Sequence, residues 1–531
     1  MKSEGKLNRT ESLAALQAGD TFDVLIVGGG ATGLGAAVDA ASRGHRVALV
    51  EAEDFAKGTS SRSTKLVHGG VRYLRQGNIS LVLEALRERG RLARKAPHLV
   101  RDQSFVIPNY RWWEGPFYGI GMKVYDQLAG RLGLSPSRWL TKTETLERIP
   151  TIETEDLDGG VLYYDGQFDD ARLAIHLAMT AATHGAVVIN HCRCVGLVKS
   201  NGQISGARVR DAESGAEFEV KAKTVVNATG VFVDELRRVD QPETPPVIAV
   251  SQGIHVVLPR KFLPGDAAIM VPKTSDGRVL FAVPWHDRVV VGTTDTPLDK
   301  ASIEPRALAE ERDFVMEHAR QYLSLDPTAD DVLSVFAGLR PLVREAGAES
   351  TAALSRDHAI LISESGLITV SGGKWTTYRK MAEDVIDHVE TVGDLDEKPC
   401  VTVNLLIHGA GGENEDDTTS IDGYGTDADA IAALAASEVD GASRLHPSLP
   451  YETAEVIWHV RAEMARTVED VLARRTRALL LDAKASIEAA PVVAAVMARE
   501  LGRNDAWGAE QVRAYTALAQ GYVFTHSSSM G

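Results

Sequence analysis

The 531-residue chain has very little cysteine, with Cys192, Cys194 and Cys400 as its three thiols. Three cysteines cannot form a disulfide framework in a chain of this length. A single Cys-x-Cys pair also leaves a closed zinc site two ligands short. We therefore predict a protein of a reducing compartment that carries no structural metal.

Long apolar runs are missing as well. The first 20 residues contain no apolar stretch of the kind that a signal peptide needs. No uncharged apolar stretch reaches the roughly 18 residues that a membrane-spanning helix requires. The sequence therefore predicts a chain that does not cross a bilayer, and it leaves open whether the protein rests on a membrane surface.

Positive charge is the third deficit, since 57 Lys and Arg stand against 73 Asp and Glu for a net charge of −16. This balance argues against a general nucleic-acid-binding protein. Hydrophobic residues at 44% and charged residues at 24% exclude a disordered or fibrous chain. The length corresponds to about three domain-sized units.

A βαβ unit stands near the N-terminus. Residues 22–27 and 46–51 have the composition of strands, and residues 34–43 form a helix of small side chains between them. The connecting segment fits the pattern G-x-G-x-x-G at Gly28, Gly30 and Gly33. This arrangement predicts a dinucleotide site and leaves NAD and FAD open.

Each part of this motif has a physical role. The first glycine permits a tight turn, the second lets the backbone approach a pyrophosphate, and the third lets the helix pack on the strand. The helix then begins at Ala31 and Thr32 with backbone N–H groups for the phosphates. Glu51, at the end of the second strand, is expected to accept a hydrogen bond from a ribose hydroxyl.

Further strands are predicted at residues 186–190 and 224–228, and the second of these places Thr229 and Gly230 at the ligand-binding edge of the sheet. Residues 463–481 are predicted to be one helix, with Met464, Val468, Val471 and Leu472 on a single face. The predicted organisation is an N-terminal arm (1–20), an α/β region (21–400) with an antiparallel sheet at about 240–345, a linker (401–425) and a helical C-terminal domain (426–531).

Ordered motifs along the chain resemble those of one flavoprotein family. They comprise residues 58–74, Gly253–His255, Pro284–Trp285, Gly292–Asp295, Gly338–Pro341, Ser355–Asp357 and Gly372–Tyr378. The pattern is similar to that of the FAD-dependent glycerol-3-phosphate dehydrogenases, quinone-linked enzymes of the D-amino-acid-oxidase-like superfamily. The resemblance implies a Rossmann-type FAD-binding domain, an interleaved antiparallel-sheet substrate domain and an α-helical C-terminal domain.

The resemblance also implies which residues bind the cofactor. Besides the glycine turn, Glu51, Thr229 and Gly230, it assigns FAD contacts to Thr59, Ser60, Ser61, Lys65, His68, Gly69, Val195, Gly373 and Thr376. Many small donors on one loop suit a flavin and its pyrophosphate. From the residues alone, a solvated Ser/Thr loop stays an open alternative.

The implied reaction is the oxidation of sn-glycerol 3-phosphate to dihydroxyacetone phosphate, with the C2 hydride going to flavin N5 and the electrons to a quinone. The resemblance assigns Arg340, Arg356, Arg72 and Tyr73 to the substrate pocket. Guanidinium groups suit a phosphate dianion because they bind it bidentately.

We expect His255 to be the general base, with Lys374 and Arg340 as catalytic cations. Without the resemblance, His255 reads as a satisfied core residue. A glycerol-3-phosphate oxidase that uses O₂, and a flavin-binding regulatory protein without turnover, are the alternatives to a quinone-linked dehydrogenase.

One basic, aromatic segment departs from the acidic average. Residues 84–138 hold ten Lys or Arg against five Asp or Glu. The same segment carries the aromatic residues Tyr110, Trp112, Trp113, Phe117, Tyr118 and Tyr125. This combination favours peripheral binding to an anionic membrane, which predicts a cytoplasmic protein on the inner face of the plasma membrane. Core residues or a homodimer interface are the alternative interpretation of these aromatics.

Overall fold

Two β-sheets and a C-terminal group of helices make up the architecture. The computed structural model describes residues 5–70, 78–130, 133–272, 274, 277–344, 358–411 and 423–525. The strands within these ranges are β1 (Thr21–Val27), β2 (Val47–Val50), β3 (Leu66–Val67), β4 (Val100–Asn109), β5 (Arg138–Thr141), β6 (Gly159–Phe168), β7 (Val187–Ile189), β8 (Cys192–Ser200), β9 (Gln203–Asp211), β10 (Glu217–Asn227), β11 (Ile248–Pro259), β12 (Ala268–Val271), β13 (Leu280–Trp285), β14 (Arg288–Gly292), β15 (Thr296–Leu298), β16 (Ser334–Val343), β17 (His358–Ile362) and β18 (Leu367–Gly372).

The helices connect and cover these strands. They are α1 (Arg9–Gln17), α2 (Ala31–Ser42), α3 (Ile79–Lys95), α4 (Glu114–Ala129), α5 (Lys142–Arg148), α6 (Asp170–Thr183), α7 (Val233–Asp240), α8 (Ala309–Tyr322), α9 (Tyr378–Val392), α10 (Ala428–Ser437), α11 (Thr453–Ala462), α12 (Ala478–Leu481), α13 (Ala483–Leu501) and α14 (Asp505–Ala519). The fold class predicted from the sequence is confirmed.

The first sheet has the order β17-β18-β10-β1-β2-β7, and β9 and β8 extend it from β10. The strands from β18 to β7 are parallel, and β17 is antiparallel to β18. Residues 24–27 of β1 are buried, and α2 contacts β1 and β2 while it packs beside α6 and α9. β1, β2, β10 and β18 run parallel, with Val27 opposite both Val50 and Asn227. The carboxyl ends of these four strands therefore meet at one edge.

The second sheet has ten strands, with β11 between β14 and β16 in antiparallel register. Its strands β11–β16 lie in the region predicted to hold an antiparallel sheet, whereas β3–β6 come from residues 66–168 and were missed. The pair β12–β4 is parallel, so the sheet is mixed. Because β6 leads directly into α6 of the first layer, the two sheets are interleaved in the chain.

The prediction of one continuous helix over residues 463–481 is wrong. The segment contains a π-helical turn at Asp470–Arg475, and Arg477 then adopts a left-handed backbone conformation (φ 65°) before α12. The predicted apolar face is buried at Val468, Val471 and Leu472, so the spacing was a correct signal of burial. The helix is interrupted where the buried side chains of Arg474 and Arg475 form ion pairs with Asp54, which follows β2 of the first sheet.

The segments predicted as arm and linker also pack against the body of the protein. Leu7 donates its backbone N–H to the carbonyl of Ala462 at 2.8 Å. On the other side, His408 donates its backbone N–H to Thr180 Oγ1 of α6 at 2.9 Å. The N-terminal residues and the start of the linker therefore help to hold the C-terminal helices against the first sheet.

Candidate active site

A cavity of about 520 Å³ lies at the edge where the parallel strands of the first sheet end. Its size falls in the range of ligand-binding cavities, and its position is the one that ligands of open α/β sheets occupy. Ten of the predicted cofactor residues line it: Gly28, Gly30, Ala31, Thr32, Glu51, Thr59, Ser60, Thr229, Gly230 and Gly373. Lys374 lies on the same wall.

The glycine turn has the geometry that its motif predicts. Gly28 has φ +114°, and a Cβ there would stand 2.5 Å from the carbonyl oxygen of Ala228. A Cβ on Gly33 would stand 1.9 Å from the carbonyl oxygen of Gly28, so this glycine lets α2 pack beneath the turn and lies off the cavity wall. Gly30 caps α2, and the N–H of Ala31 donates to Ser60 Oγ at 2.9 Å.

Glu51 supports the same turn from the end of β2. Its carboxylate accepts hydrogen bonds from the backbone N–H groups of Gly29 at 2.6 Å and Glu53 at 2.8 Å. Burial raises the pKa of Glu51, although these two hydrogen bonds oppose the shift. The carboxylate lies on the cavity wall, where a ribose is expected, and it also holds the turn that faces the phosphates.

The loop that carries Thr59 and Ser60 is fixed from two sides. Thr59 Oγ1 donates to the carbonyl of Leu339 on β16 at 2.7 Å. The Trp375 indole donates to the carbonyl of Ser60 at 2.8 Å. These bonds connect the cavity wall to the second sheet and to the turn that follows β18.

The Lys65 side chain is engaged by groups of the protein itself. Its ammonium is fully buried, and it donates to the Asp170 carboxylate at 2.7 Å and to the Ser61 carbonyl at 2.8 Å. Burial lowers the pKa of Lys65 against the attraction of Asp170. The Lys65 side chain is held in a buried ion pair and is not among the residues that line the cavity, so its FAD contact stays a prediction.

Five other predicted cofactor residues are not among those that line the cavity, namely Ser61, His68, Gly69, Val195 and Thr376. His68 and Thr376 contact each other, with the His68 N–H donating to Thr376 Oγ1 at 3.3 Å. In place of Val195, the neighbouring Arg193 and Cys194 line the cavity. The contact expected of Val195, through its backbone groups, stays a prediction.

His255 and Arg340 lie on one face of the second sheet. On β11 and β16, residue 251 pairs with residue 340 and residue 255 with residue 336, so alternation directs the two side chains to the same side. Glycine makes room for both. A Cβ on Gly292 would stand 2.3 Å from His255 Cδ2, and a Cβ on Gly253 would stand 2.4 Å from Arg340 Nη2.

The His255 ring is held in a defined orientation. Its Nε2 is 2.9 Å from Thr64 Oγ1, and the ring stacks on Phe336 at a centroid distance of 4.8 Å. Nδ1 is buried and has no hydrogen-bond partner within the described ranges. Burial lowers the pKa of His255 well below its usual value, and the charges of Lys65 and Arg340 lower it further.

Arg340 is oriented by Asp295 and Thr294. Both belong to the motif Gly292–Asp295, but the sequence did not indicate this role. The Arg340 guanidinium donates to Asp295 Oδ1 at 3.1 Å and to the carbonyl of Thr294 at 3.0 Å. Asp295 also accepts a hydrogen bond from Ser251. Arg72, Tyr73 and Arg356, the other predicted substrate residues, lie outside the residues that the structure describes.

The site therefore has two parts. The cavity presents a glycine turn, a helix N-terminus and a buried carboxylate, which together fit a dinucleotide. The face of the second sheet presents an imidazole with one unpartnered nitrogen and an oriented guanidinium, which fit acid–base chemistry on an anionic substrate. The loop of residues 59–65 lies between them and contacts both.

Comparisons with known proteins agree with this organisation. Residues 23–379 match the family model for FAD dependent oxidoreductases, and residues 367–508 match that for the C-terminal domain of alpha-glycerophosphate oxidase. A probable mitochondrial glycerol-3-phosphate dehydrogenase of Caenorhabditis elegans is 42% identical, over 97% of this chain and 75% of that protein. The mitochondrial glycerol-3-phosphate dehydrogenase of Homo sapiens is 40% identical, over 95% of this chain and 74% of that protein.

Solved structures extend the comparison. A glycerol-3-phosphate dehydrogenase from Bacillus halodurans in complex with FAD superposes with a TM-score of 0.79 at 30% identity, covering 97% of both chains. An L-alpha-glycerophosphate oxidase from Mycoplasma pneumoniae has a TM-score of 0.56 at 18% identity, covering 70% of this chain and 95% of that one. At that identity the second likeness concerns the fold alone.

The glycine turn generates a prediction. Gly33→Ala places a methyl group against the Gly28 carbonyl, so we expect the turn to shift and FAD retention to weaken by more than about tenfold. The measurement is the flavin absorbance per mole of purified protein before and after dilution. Gly508→Ala is the matched control, because a Cβ there meets nothing within 4 Å. Wild-type flavin retention in Gly33→Ala would contradict the packing argument.

Proposed function

The chain belongs to the family of FAD-dependent glycerol-3-phosphate dehydrogenases, and from this premise we propose that it oxidises sn-glycerol 3-phosphate to dihydroxyacetone phosphate and passes the electrons to a quinone. The main support is the placement of His255 and Arg340 on one face of the second sheet, beside the loop that borders the cofactor cavity. FAD is the cofactor, as in the relative from Bacillus halodurans.

The residues of the cavity suit FAD. The turn at Gly28–Ala31 would hold the pyrophosphate, Glu51 the ribose, and Thr59, Ser60 and Gly373 the flavin portion. When bound, FAD supplies an acceptor for the hydride that leaves C2 of the substrate. The protein's own task is then to bind the phosphate, to orient C2 and to remove the hydroxyl proton.

In the proposed mechanism, Nδ1 of His255 accepts the proton of the C2 hydroxyl. Nδ1 is the ring nitrogen without a hydrogen-bond partner in the described part of the chain, and an Nε2–H bond to Thr64 Oγ1 would leave Nδ1 unprotonated. The lowered pKa keeps the ring neutral near pH 7, so the base is ready without prior deprotonation.

Positive charge completes the proposed site. Proton removal leaves negative charge on the C2 oxygen, which the cations assigned to the site, Arg340 and Lys374, would stabilise. Asp295 orients the Arg340 guanidinium. The substrate phosphate or alkoxide would then bind a guanidinium that is already held in position. The roles of Arg72, Tyr73 and Arg356 in phosphate binding stay predictions.

The electron acceptor separates this proposal from an oxidase. The relatives at about 40% identity carry the name dehydrogenase, so the oxidase alternative is not favoured. A flavin-binding protein without turnover is the remaining alternative from the sequence, and a base and a cation oriented on one sheet face argue for chemistry.

The function is tested by mixing the holoenzyme anaerobically with sn-glycerol 3-phosphate. We expect the flavin absorbance near 450 nm to bleach, and a soluble quinone analogue to restore it much faster than O₂ does. A spectrum that substrate leaves unchanged would overturn the dehydrogenase proposal. Equal or faster reoxidation by O₂ would replace the quinone assignment with the oxidase.

The base assignment has its own test. For His255→Asn we expect bleaching by substrate to slow by about 10²–10⁴, the usual contribution of general-base catalysis. Because the His255 pKa lies well below 6.5, the acid limb of the wild-type pH–rate profile should fall below pH 6.5 and be lost in the variant. His446→Asn is the control, since this histidine contacts Glu488 in the C-terminal helices. A loss of less than about tenfold would refute the assignment.

We also propose that the protein binds a membrane surface through α4 and its flanks. Trp112 is 82% exposed, Ile120 62% and Phe117 54%. Trp113, Val124 and Trp139 are exposed beside them, and Trp139 packs on Gly119 of the helix. Contiguous exposed apolar groups of this kind mark interaction surfaces, and aromatic side chains favour the membrane interface.

The positive charge available there is smaller than the sequence count predicts. Arg89 forms a buried ion pair with Asp165, and Lys95 is buried. Tyr125, predicted as an interfacial aromatic, is also buried and donates to Asp165 at 3.0 Å. Arg111, Lys123 and Arg138 remain at the surface near α4, so apolar contact is the larger part of the proposed attachment.

None of the helices in the described ranges has the length and apolar character needed to cross a bilayer. The cytoplasmic location at the inner face of the plasma membrane stays a prediction, and the worm and human relatives carry the word mitochondrial in their names. A homodimer likewise stays a prediction.

The membrane proposal predicts the effect of a triple substitution. Replacing Trp112, Phe117 and Ile120 by Ser should weaken binding to anionic phospholipid vesicles by at least about tenfold, because each side chain loses apolar contact. Co-sedimentation with vesicles measures this. The control is the triple replacement of the exposed residues Ile362, Leu406 and Val439 by Ser. Equal losses in both triples, or no vesicle binding by the wild type, would refute the assignment.

A further inference from the structure

The segment Glu469–Arg477 of the C-terminal region, here called the buttress segment, reaches the cofactor site at three points. It includes the π-helical turn Asp470–Arg475 and the left-handed residue Arg477. Its side chains contact residues 54, 57 and 61, which belong to the stretch between Glu51 and Lys65. That stretch supplies Glu51, Thr59 and Ser60 to the cavity wall.

Arg477 contacts the loop of residues 58–65 directly. Its buried guanidinium donates to the carbonyl of Ser61 at 2.8 Å and to Asp170 Oδ1 at 2.8 Å. Lys65 donates to the same carbonyl and the same carboxylate. The Ser61 carbonyl therefore receives two cationic donors, and it directly follows Ser60, which binds the N–H of Ala31 at the start of α2.

Two further ionic contacts hold the start of the stretch. Arg474 and Arg475 both pair with the buried carboxylate of Asp54, three residues after Glu51. Glu469 pairs with Lys57, which itself lines the cavity. Asp54 has its other oxygen occupied by the Asn190 side chain at 2.8 Å, so its carboxylate is fully engaged.

We propose that the buttress segment is a positioning element for FAD, and that Arg477 holds the loop of residues 58–65 in its cofactor-binding conformation. A loop that is ordered before binding does not lose that conformational entropy when the ligand arrives, so its affinity is higher. The segment does this with buried ionic bonds, which fix direction and distance more strictly than apolar packing does. The proposal concerns FAD retention, so its outcome is independent of the substrate and the electron acceptor.

Other contacts dock the C-terminal helices without touching the loop. Arg172 of α6 forms a buried ion pair with Glu463 at 2.7 Å. Tyr424 donates to Glu455 of α11 at 2.9 Å, and the Arg172 guanidinium lies 4.3 Å from the Tyr424 ring centroid. Loss of Arg477 should therefore leave the helices docked while it releases the loop.

The test uses the full-length holoenzyme with Arg477→Met, which keeps an unbranched stem and removes the guanidinium group and its charge. FAD release after dilution is monitored through the rise in flavin fluorescence. We expect the Kd of the variant for FAD to be at least about tenfold higher than that of the wild type. Hydrogen exchange should accelerate in residues 58–65 and stay at the wild-type level in α11. Arg477→Lys should recover part of the affinity, because it restores the charge without the reach and the planar geometry of the guanidinium.

Glu455→Gln is the matched control, since it changes a buried polar group of the same region that does not contact the loop. It should retain FAD as the wild type does. Wild-type FAD affinity in a folded Arg477→Met would overturn the proposal. So would exchange that accelerates equally in α11, since that indicates a general loss of docking. If Arg477→Met does not fold, the same two measurements on Arg477→Lys decide, and wild-type affinity and exchange there overturn the proposal.

Discussion

The carboxylate of Asp170 is the contact on which the rest of the site depends. Asp170 follows β6 of the second sheet and begins α6 of the first layer, so it stands where the two layers are joined. Its buried oxygens accept from the Lys65 ammonium, the Arg477 guanidinium and both the N–H and the hydroxyl of Ser63. One carboxylate at the junction between the sheets thereby binds both the loop of residues 58–65 and the C-terminal region. Removing a partner from such a cluster is costly because it leaves buried charge uncompensated.

The two halves of the site are built by different means. The cavity arises from the parallel sheet, where the strands end together and the backbone itself presents N–H groups to phosphate. The face of the second sheet arises from antiparallel register, which aligns His255 with Phe336 and Ser251 with Arg340. Glycines at 253 and 292 clear the volume that the two functional side chains occupy. A backbone site that suits FAD therefore stands beside the side-chain face that we propose binds the substrate.

The sequence predicted best what is local. The glycine turn and Glu51 lie within one βαβ unit, so their spacing in the chain is also their spacing in space. The ion pair of Lys65 could not be predicted, because its partner Asp170 lies 105 residues away and no local pattern records the contact. The broken helix at 463–481 has the same cause, since its apolar spacing is regular and its distortion comes from Asp54 and other distant charges. Tyr125 reads as interfacial by composition, but a hydrogen bond to Asp165 places it inside. Arg193 and Cys194 line the cavity beside the predicted Val195, and no motif in the sequence singled them out.

Strand β16 gathers several of these dependencies in ten residues. Phe336 stacks on the His255 ring, and the Leu339 carbonyl accepts from the Thr59 hydroxyl. Arg340 shares the sheet face of His255, and Pro341 lines the cofactor cavity. At its start, the Ser334 hydroxyl donates to the carbonyl of Leu480 in the C-terminal helices. An insertion or deletion of one residue here would rotate every later side chain to the opposite face and uncouple all of these contacts together. A change in the length of β16 would therefore disturb the cofactor cavity and the face that carries His255 and Arg340 at the same time, whereas a point substitution can alter one of these contacts alone.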